Sequence, residues 1–397
     1  MNQSFLPYGR QIIDDDDIAA VTATLKGALL TTGPAVAAFE SALAAATGAA
    51  HAVSCSSGTA ALHLAALALQ LGPGDKVVVP TVTFLATANA ARYVGADVVF
   101  ADVDPDTGLL DAARLEDAIM RVGGGISAVF PVHLAGQMAD MAAIRAVADK
   151  HAIKVVEDAS HAFGTRRGNA ERTGDCRYGE MACFSFHPVK TIAMGEGGAV
   201  TTNDAELAAR LRRLRNHGMI HNADEFRQRD MACDDNGEAN PWYYEMSEPG
   251  FNYRASDIHC ALGNSQLGKL DRFVTARSAV VAAYDQALVG LDPIVRPLAR
   301  SVDCTPAWHL YVVLIDFKKA GVSRADVMRQ LLEAGIGTQV HYIPVHTQPY
   351  YRNLDGDLSL PGAERYYERC LSLPLSAAMQ PEDATRVVAA LKDCLDD

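Results

Sequence analysis

Residues 183–200, with the sequence CFSFHPVKTIAMGEGGAV, place a single lysine between two apolar segments. Residues 181–186 and 199–202 have the composition of buried strands, and a turn and a glycine-rich return join them. Lysine is rarely buried unless it is paired or takes part in chemistry. Burial would lower the pKa of Lys190 and make its amine nucleophilic near neutral pH, as a Schiff-base lysine requires. The alternative is a loop lysine that points into water, and this stretch alone leaves both open.

Strand and helix patterns alternate before this stretch. The candidate strands are residues 51–55, 76–80, 97–101, 126–132 and 153–157. The candidate helices are residues 18–29, 34–48, 59–71, 84–94, 111–121 and 138–151. Such alternation is typical of βαβ units. The sequence therefore predicts an α/β fold with a mostly parallel sheet covered by helices.

The pattern changes in the second half of the chain. Because 397 residues exceed the usual size of one core, we expect a large domain (1–265) and a smaller α+β domain (266–397). Residues 219–250 interrupt the large domain and are either a functional loop or a solvated excursion. The remaining predicted elements are helices at 256–266, 270–288, 324–334, 363–371 and 381–395, and strands at 310–317 and 338–341.

Composition excludes several classes of protein. A formal net charge of −13 argues against nucleic-acid binding, which needs a basic face. The sequence has no signal peptide and no run of roughly 18 apolar residues, so we expect no membrane contact and a cytoplasmic location. The eight cysteines are scattered without a CxxC pair and read as reduced thiols. No histidine spacing indicates a metal site.

A short polar motif follows the first predicted strand. Ser57, Gly58 and Thr59 open the next helix, where backbone N–H groups and hydroxyls can bind a phosphate. The alternative is an ordinary helix N-cap at Ser57 or Thr59 without any ligand.

Further polar and aromatic residues lie near the ends of other predicted strands. Asp158 ends the apolar strand IKVVED and either caps the next segment or pairs with a buried cation, and His161 follows three residues later. On its own, a histidine such as His161 is more often a satisfied core residue. Phe84 either packs in the core or faces a planar ring. Together with Lys190 and the helix-start motif, these residues supply what pyridoxal 5'-phosphate (PLP) needs: an imine-forming amine, a carboxylate for the pyridine nitrogen, a stacking ring and a phosphate cradle.

The sequence resembles the PLP-dependent sugar aminotransferases of the DegT/DnrJ/EryC1/StrS family over nearly its whole length. The similar motifs are LTTGPAVAAFE (30–40), SSGTAALHLA (56–65), PTVTFLATANA (80–90), VVEDASHAFG (155–164), FSFHPVKTIAMGEGGAV (184–200), GFNYRASDIHCALG (250–263) and HYIPVHTQPYY (341–351). The resemblance implies the fold-type I aminotransferase architecture, with PLP, and its amino form PMP, as cofactor. SFHPVK, His161 and PWYYEM favour the branch that acts on UDP-4-keto-6-deoxy-N-acetyl-β-L-altrosamine in pseudaminic acid synthesis.

The resemblance also assigns roles to residues of the cofactor site. Lys190 would form the imine with PLP and move the proton between cofactor and sugar C4. Asp158 would pair with the pyridine nitrogen, Phe84 would stack on the ring, and His161 would bind near its hydroxyl or opposite face. The residues expected to hold the phosphate are Ser57, Gly58, Thr59 and Ser185.

Other roles concern a second subunit and the substrates. Asn252 would reach the phosphate in the neighbouring subunit, which implies a homodimer with shared sites. Arg254 would line the same part of the shared site, or it would form an ordinary salt bridge at the interface. Tyr342 and His346 are candidates for contact with the sugar or its diphosphate, and simple packing is the alternative.

The implied reaction transfers an amino group, with L-glutamate as the expected donor, to the C4 keto group of the UDP-sugar. The first alternative is another nucleotide-linked keto sugar, such as UDP-4-keto-6-deoxy-GlcNAc or a GDP-4-keto-6-deoxy sugar. The second is a non-catalytic PLP-binding regulatory protein, for which we would expect a lost lysine or a DNA-binding extension.

Overall fold

The computed structural model describes residues 5–168 and 170–396. Its strands are β1 (His51–Cys55), β2 (Lys76–Pro80), β3 (Asp97–Ala101), β4 (Ala128–Val129), β5 (Lys154–Asp158), β6 (Arg166–Arg167), β7 (Glu171–Arg172), β8 (Met181–Ser185), β9 (Gly198–Thr202), β10 (Met219–Ile220), β11 (Glu245–Met246), β12 (Val295–Pro297), β13 (Cys304–Thr305), β14 (Tyr311–Ile315) and β15 (Cys370–Leu373).

The helices alternate with the strands in the first half of the chain and dominate its second half. They are α1 (Asp15–Leu25), α2 (Pro34–Thr47), α3 (Gly58–Ala68), α4 (Leu85–Tyr93), α5 (Ala112–Arg121), α6 (Met141–Lys150), α7 (Ala205–Leu214), α8 (Arg229–Ala232), α9 (Asp257–Leu267), α10 (Leu270–Leu288), α11 (Phe317–Ala320), α12 (Arg324–Glu333), α13 (Pro349–Asp355), α14 (Pro361–Arg369) and α15 (Pro381–Asp396).

A seven-stranded sheet in the order β1-β9-β8-β5-β4-β2-β3 forms the first layer of the structure. Strands β3, β2, β4, β5 and β8 pair in parallel, whereas β9 is antiparallel to both β8 and β1. The register places Asp158 opposite Cys183 and Cys55 opposite Gly198. The carboxyl ends of β1, β5 and β8 therefore meet at one edge, where ligands bind in open α/β sheets. The predicted mostly parallel sheet is confirmed.

Local sequence explains how several elements begin. Asp14 and Asp17 form a reciprocal capping box at α1, as acidic residues at a helix start favour. Pro34 occupies the first turn of α2, and Gly48 ends that helix with φ of 86°, a conformation that glycine adopts without strain. Ser57 caps α3 through its side-chain oxygen, which accepts a hydrogen bond from the N–H of Ala60 at 3.1 Å.

A three-stranded antiparallel sheet, β12-β14-β15, packs with α10, α12 and α15 around a second buried cluster that includes Tyr284, Val313 and Leu331. Here the sequence prediction was wrong in two places. The predicted helix at 363–371 ends at Arg369, and β15 follows because its four buried residues pair with β14. Residues 338–341 form no strand and contribute only an isolated bridge between Gln339 and Ser372.

Residues 219–250 are folded. Strands β10 and β11 pair, and Ile220, Phe226 and Ala232 form a small buried cluster beside them. Trp242 is 75% exposed on the outside of this segment. Among the described residues, no helix is both long and apolar enough to cross a bilayer.

Candidate active site

A cavity of about 570 Å³ opens at the sheet edge where β1, β5 and β8 end. The predicted site residues that line it are Ser57, Gly58, Thr59, Phe84, Asp158, His161, Ser185, Lys190 and Tyr342. The fold thus gathers most of the residues that sequence reasoning selected, from positions more than 280 apart in the chain.

Lys190 lies on the turn that follows β8. Its backbone N–H donates to the carbonyl of His187 at 2.8 Å, which closes the turn. Burial lowers the pKa of the Lys190 amine to about 8, and the negative charge of Asp158 opposes this shift. The Nζ atom lies 3.5 Å from Nε2 of His309. A substantial fraction of this amine is therefore neutral, and nucleophilic, close to physiological pH.

Asp158 ends β5 and is buried. The hydroxyl of Thr87 donates to its Oδ2 at 2.6 Å, and the N–H of Ser160 donates to its Oδ1 at 3.1 Å. Thr87 in turn lies 2.8 Å from the hydroxyl of Thr83. These bonds fix the carboxylate plane and compensate its charge in part, while leaving acceptor capacity for a ligand in the cavity.

His161 is buried and pairs with the half-buried Tyr342, with Nε2 and the phenolic oxygen 2.9 Å apart. Burial, followed by the charge of Lys190, lowers the pKa of His161 well below its usual value, and burial raises the pKa of Tyr342. The Nδ1 atom of His161 has no hydrogen-bond partner within the described part of the chain. A buried polar atom of this kind is costly unless a ligand satisfies it.

The start of α3 packs closely against the end of β8. A Cβ atom at Gly58 would lie 2.7 Å from Cβ of Ser185, so only glycine allows this approach. The first N–H groups of a helix have no intrahelical acceptor, and here Ser57, Thr59 and Ser185 add hydroxyls. This arrangement suits a phosphate.

Phe84 precedes α4 on the other side of the cavity and is 56% exposed. Its ring centre lies 6.0 Å from that of Tyr342. So large an exposed aromatic ring at a cavity wall is available to stack on a planar ligand.

Three predicted residues lie away from the cavity lining. His346 is buried, and its Nδ1 lies 2.7 Å from the hydroxyl of Thr81. Asn252 is exposed, and Arg254 donates to the side chain of Asn216.

Sequence reasoning missed other residues of the site. Thr87 lies in the quoted motif PTVTFLATANA, but nothing in the motif shows that it bonds Asp158. Tyr8, His309 and His341 also line the cavity and come from distant segments. Burial, and next the charge of Lys190, lowers the pKa of His341 to about 3.

Comparison with known proteins places this geometry in a family. The model of the DegT/DnrJ/EryC1/StrS aminotransferase family matches residues 11–392. The chain belongs to this family. It is 41% identical to the spore coat polysaccharide biosynthesis protein SpsC of Bacillus subtilis, over 98% of this chain and 97% of SpsC.

Two solved members of the family share the fold. PseC of Helicobacter pylori, an aminotransferase involved in the biosynthesis of pseudoaminic acid, has a TM-score of 0.89 and 28% identity, over 99% of this chain and 100% of PseC. Spr1654 of Streptococcus pneumoniae in its PMP-form has a TM-score of 0.87 and 28% identity, over 98% of this chain and 99% of its own; it is also solved in a PLP-form. The protein is therefore a fold-type I, PLP-dependent sugar aminotransferase, as the sequence predicted.

The cavity of this aminotransferase fits PLP chemically. It contains an amine with a lowered pKa, a buried carboxylate and a helix start that only glycine permits. The buried Nδ1 of His161 has no partner among the described residues and could form a hydrogen bond with a polar substituent of the PLP ring. The described residues contain no group of three potential metal ligands in mutual reach.

Proposed function

We propose that this protein transfers the amino group of L-glutamate to the C4 keto group of UDP-4-keto-6-deoxy-N-acetyl-β-L-altrosamine. The proposal rests mainly on one observation. Lys190, Asp158 and the first residues of α3 line the same cavity, and the negative charge of Asp158 acts on the pKa of Lys190. The branch of the family is supported by the motifs SFHPVK and PWYYEM and by the structural similarity to PseC.

When bound, PLP supplies an electrophilic aldehyde and an electron sink. Lys190 would be the residue that holds it covalently, and its amine would carry a proton to or from the sugar C4 position. Because its pKa is about 8, the amine can both accept and release a proton near neutral pH.

The remaining cofactor contacts orient the ring. Asp158, held by Thr87, keeps the pyridine nitrogen protonated, and Phe84 covers one face. His161, held by Tyr342, presents its free Nδ1 to the ring substituents. The phosphate is held by Gly58 and Thr59, with the hydroxyls of Ser57 and Ser185.

We further propose a cytoplasmic homodimer with two shared sites. Asn252 is exposed and lies outside the cavity lining, which suits a residue that serves the site of a second subunit. Arg254 is proposed for the same wall. In the same cavity Tyr342 is the candidate for contact with the sugar. His346 lies outside the cavity lining and would act indirectly, through its hydrogen bond with Thr81.

A second candidate substrate is a different nucleotide-linked keto sugar. The 41% identity with SpsC exceeds the 28% identity with PseC, and SpsC is named for spore coat polysaccharide biosynthesis. The mechanism would be the same, with a differently shaped sugar pocket.

The test is a product assay by mass spectrometry and NMR with PLP and L-glutamate. Two UDP-4-keto-6-deoxy-N-acetylhexosamines are offered in parallel, one inverted at C5 and one retained, and a Lys190→Ala variant serves as the blank. Amination of the inverted sugar alone supports the proposal. Preference for the retained sugar would favour the second candidate substrate, a different nucleotide-linked keto sugar. If neither sugar is aminated, both UDP-sugar assignments are refuted.

A further inference from the structure

Arg277 carries a buried charge that the chemistry described above does not use. It lies on α10 and is 1% exposed. Within residues 5–168 and 170–396, no carboxylate forms an ion pair with it. Burial lowers its pKa to about 10, so the guanidinium is still charged at neutral pH. A buried, unpaired charge is expensive, and its presence calls for a compensating role.

Both Nη atoms of the guanidinium donate to backbone carbonyls, which come from three separate segments, whereas the buried Nε has no partner among the described residues. Its Nη1 donates to the carbonyls of His309 and Leu375, each at 3.2 Å, and to that of Trp308 at 3.4 Å. Its Nη2 donates to the carbonyl of Lys190 at 3.4 Å. One rigid, planar fork therefore joins the lysine turn to two segments of the chain after residue 265.

Two of these carbonyls belong to residues whose side chains meet in the cavity. Nζ of Lys190 lies 3.5 Å from Nε2 of His309, and the ring of His309 is centred 4.4 Å from that of His161. Because Arg277 holds the backbone of both Lys190 and His309, it fixes the distance between their side chains. Apart from the contact between Nζ of Lys190 and Nε2 of His309, no hydrogen bond among the described residues joins the lysine turn directly to the segment around residue 309.

The charge of Arg277 also acts on His309. Burial is the main cause that lowers the pKa of His309 well below its usual value, and Lys190, His161, Arg277 and His341 add to the effect. A neutral imidazole beside Lys190 can accept a hydrogen bond from the ammonium form of the lysine and does not repel it.

We propose that Arg277 is a positioning residue that clamps the turn of Lys190 to His309, and thereby holds the lysine amine at the place where it reacts. The inference rests on the proposed role of Lys190. Arg277 lies outside the cavity lining, and in this proposal it sets the position of the reactive amine from there.

The test compares Arg277→Lys and Arg277→Met with the wild type. Lysine keeps the charge but replaces two separately placed nitrogens by one, whereas methionine removes charge and donors. The matched control is Arg324→Met, because Arg324 also donates to two backbone carbonyls, but those belong to Tyr367 and Cys370, which do not line the cavity.

The first readout needs no cofactor. Competitive acetylation of the cofactor-free protein, followed by mass spectrometry of the Lys190 peptide, gives the pH midpoint of the lysine amine. Asp158 acts on this midpoint directly, and the charge of Lys190 in turn lowers the pKa of His161, His309 and His341, which surround the amine. We expect a midpoint near 8 for the wild type and for Arg324→Met. In both Arg277 variants the released turn should raise it towards the ~10.4 of a free lysine.

The second readout is the rate at which L-glutamate bleaches the PLP absorbance in a single turnover. We expect a loss of about tenfold in Arg277→Lys, whose melting temperature should stay close to that of the wild type, and a larger loss in Arg277→Met. A wild-type midpoint and rate in Arg277→Lys would overturn the proposal. Failure of both variants to fold would also overturn it, because Arg277 would then serve stability alone. If the wild type aminates no sugar, the proposed function fails, while the acetylation midpoints still test the clamp.

Discussion

At the scale of single residues, the reactivity of Lys190 results from two opposed effects. Burial disfavours its charged form, and Asp158 favours it, so that the pKa settles at about 8. A lysine with no counter-charge would lose its proton more readily, and an exposed lysine would keep it at neutral pH. The balance gives an amine that can act as both nucleophile and proton carrier.

Lys190→Ala should abolish amino transfer and leave the fold intact, because the substitution relieves the burial of a charge and breaks only the long 3.5 Å contact with Nε2 of His309 among those of the described residues. Turnover and a circular dichroism melt check the two halves of this expectation. Lys318→Ala, which changes an exposed lysine on α11, should behave like the wild type in both. Normal turnover in Lys190→Ala would refute the central assignment.

The stability of the cofactor-free protein should depend on Lys190 and pH. The folded pKa of about 8 lies below the ~10.4 of an unfolded lysine, so the unfolded chain binds more protons between these values. The lysine therefore destabilises the fold below pH 8, and this penalty disappears as the pH rises through that window. Melting temperatures should show Lys190→Met more stable than the wild type at neutral pH, with the difference shrinking towards pH 10. A difference independent of pH would contradict the lowered pKa.

Thr87→Val should weaken cofactor binding through Asp158. Valine keeps the shape but removes the hydroxyl that donates to the carboxylate at 2.6 Å, at a cost of roughly 1–3 kcal/mol for a buried bond to a charge. We expect PLP affinity to fall by about tenfold, measured by absorbance titration. Thr83→Val is the control, since it spares the bond to Asp158 and should have a smaller effect.

At the scale of elements, the site depends on how closely α3 approaches β8. The turn after β1 lets Ser57 cap α3 while Gly58 touches Ser185, and a Cβ at Gly198 would lie 2.2 Å from the carbonyl of Ser57. Gly198 is therefore required by its contact with the backbone of Ser57, and Gly58 by its contact with Cβ of Ser185. The helix start and the strand end act as one unit, which is the proposed phosphate site.

Gly58→Ala should separate these two elements. The added methyl group would lie 2.7 Å from Cβ of Ser185, and overpacking of this kind costs about 1–3 kcal/mol. We expect a lower melting temperature and a larger loss of PLP affinity, measured by absorbance titration. Gly290→Ala, where a Cβ meets nothing within 4 Å, is the matched control and should change neither. Unchanged PLP affinity in Gly58→Ala would argue against phosphate at this helix start.

At the scale of the whole molecule, the cavity brings together the two ends of the chain. Tyr8 comes from the N-terminal segment, Lys190 and Asp158 come from the large sheet, and His309 and Tyr342 come from the second half. The backbone N–H of Leu6 donates to the carbonyl of Gly335, and that of Leu375 donates to the carbonyl of Tyr8. The N-terminal segment thus ties the later elements to the site.

The proposed shared sites predict complementation between subunits. Lys190→Ala and Asn252→Ala should each be strongly impaired alone, because each lacks one component of every site. Co-expression in equal amounts should restore activity, since random pairing leaves about a quarter of the sites with both residues intact. Each variant carries a different affinity tag, so that purification on both tags in succession isolates the mixed dimers, and size-exclusion chromatography checks that they are dimers. Mixed dimers without regained activity would contradict a site that contains Asn252 of a second subunit.

Strongly patterned elements could be predicted from the sequence, and weakly patterned ones could not. The prediction for β2 (Lys76–Pro80) and for the helix Leu270–Leu288 matches the structure because apolar periodicity and clear ends define them. Strand β15 was missed because only its pairing with β14 makes Cys370–Leu373 extended. The domain boundary at residue 265 stays a prediction.

The sequence by itself determined the family and the α/β class, and it selected Lys190, Asp158 and the α3 start as residues that the structure places in one cavity, because these depend on local motifs and on the direction of parallel strands. Only the tertiary structure decided that Thr87 holds Asp158, that His309 meets Lys190 and that Arg277 joins their backbones. These contacts join residues up to 119 positions apart in the chain, and no local pattern encodes them. They arise from packing the later elements onto the sheet edge, which is a property of the folded molecule as a whole.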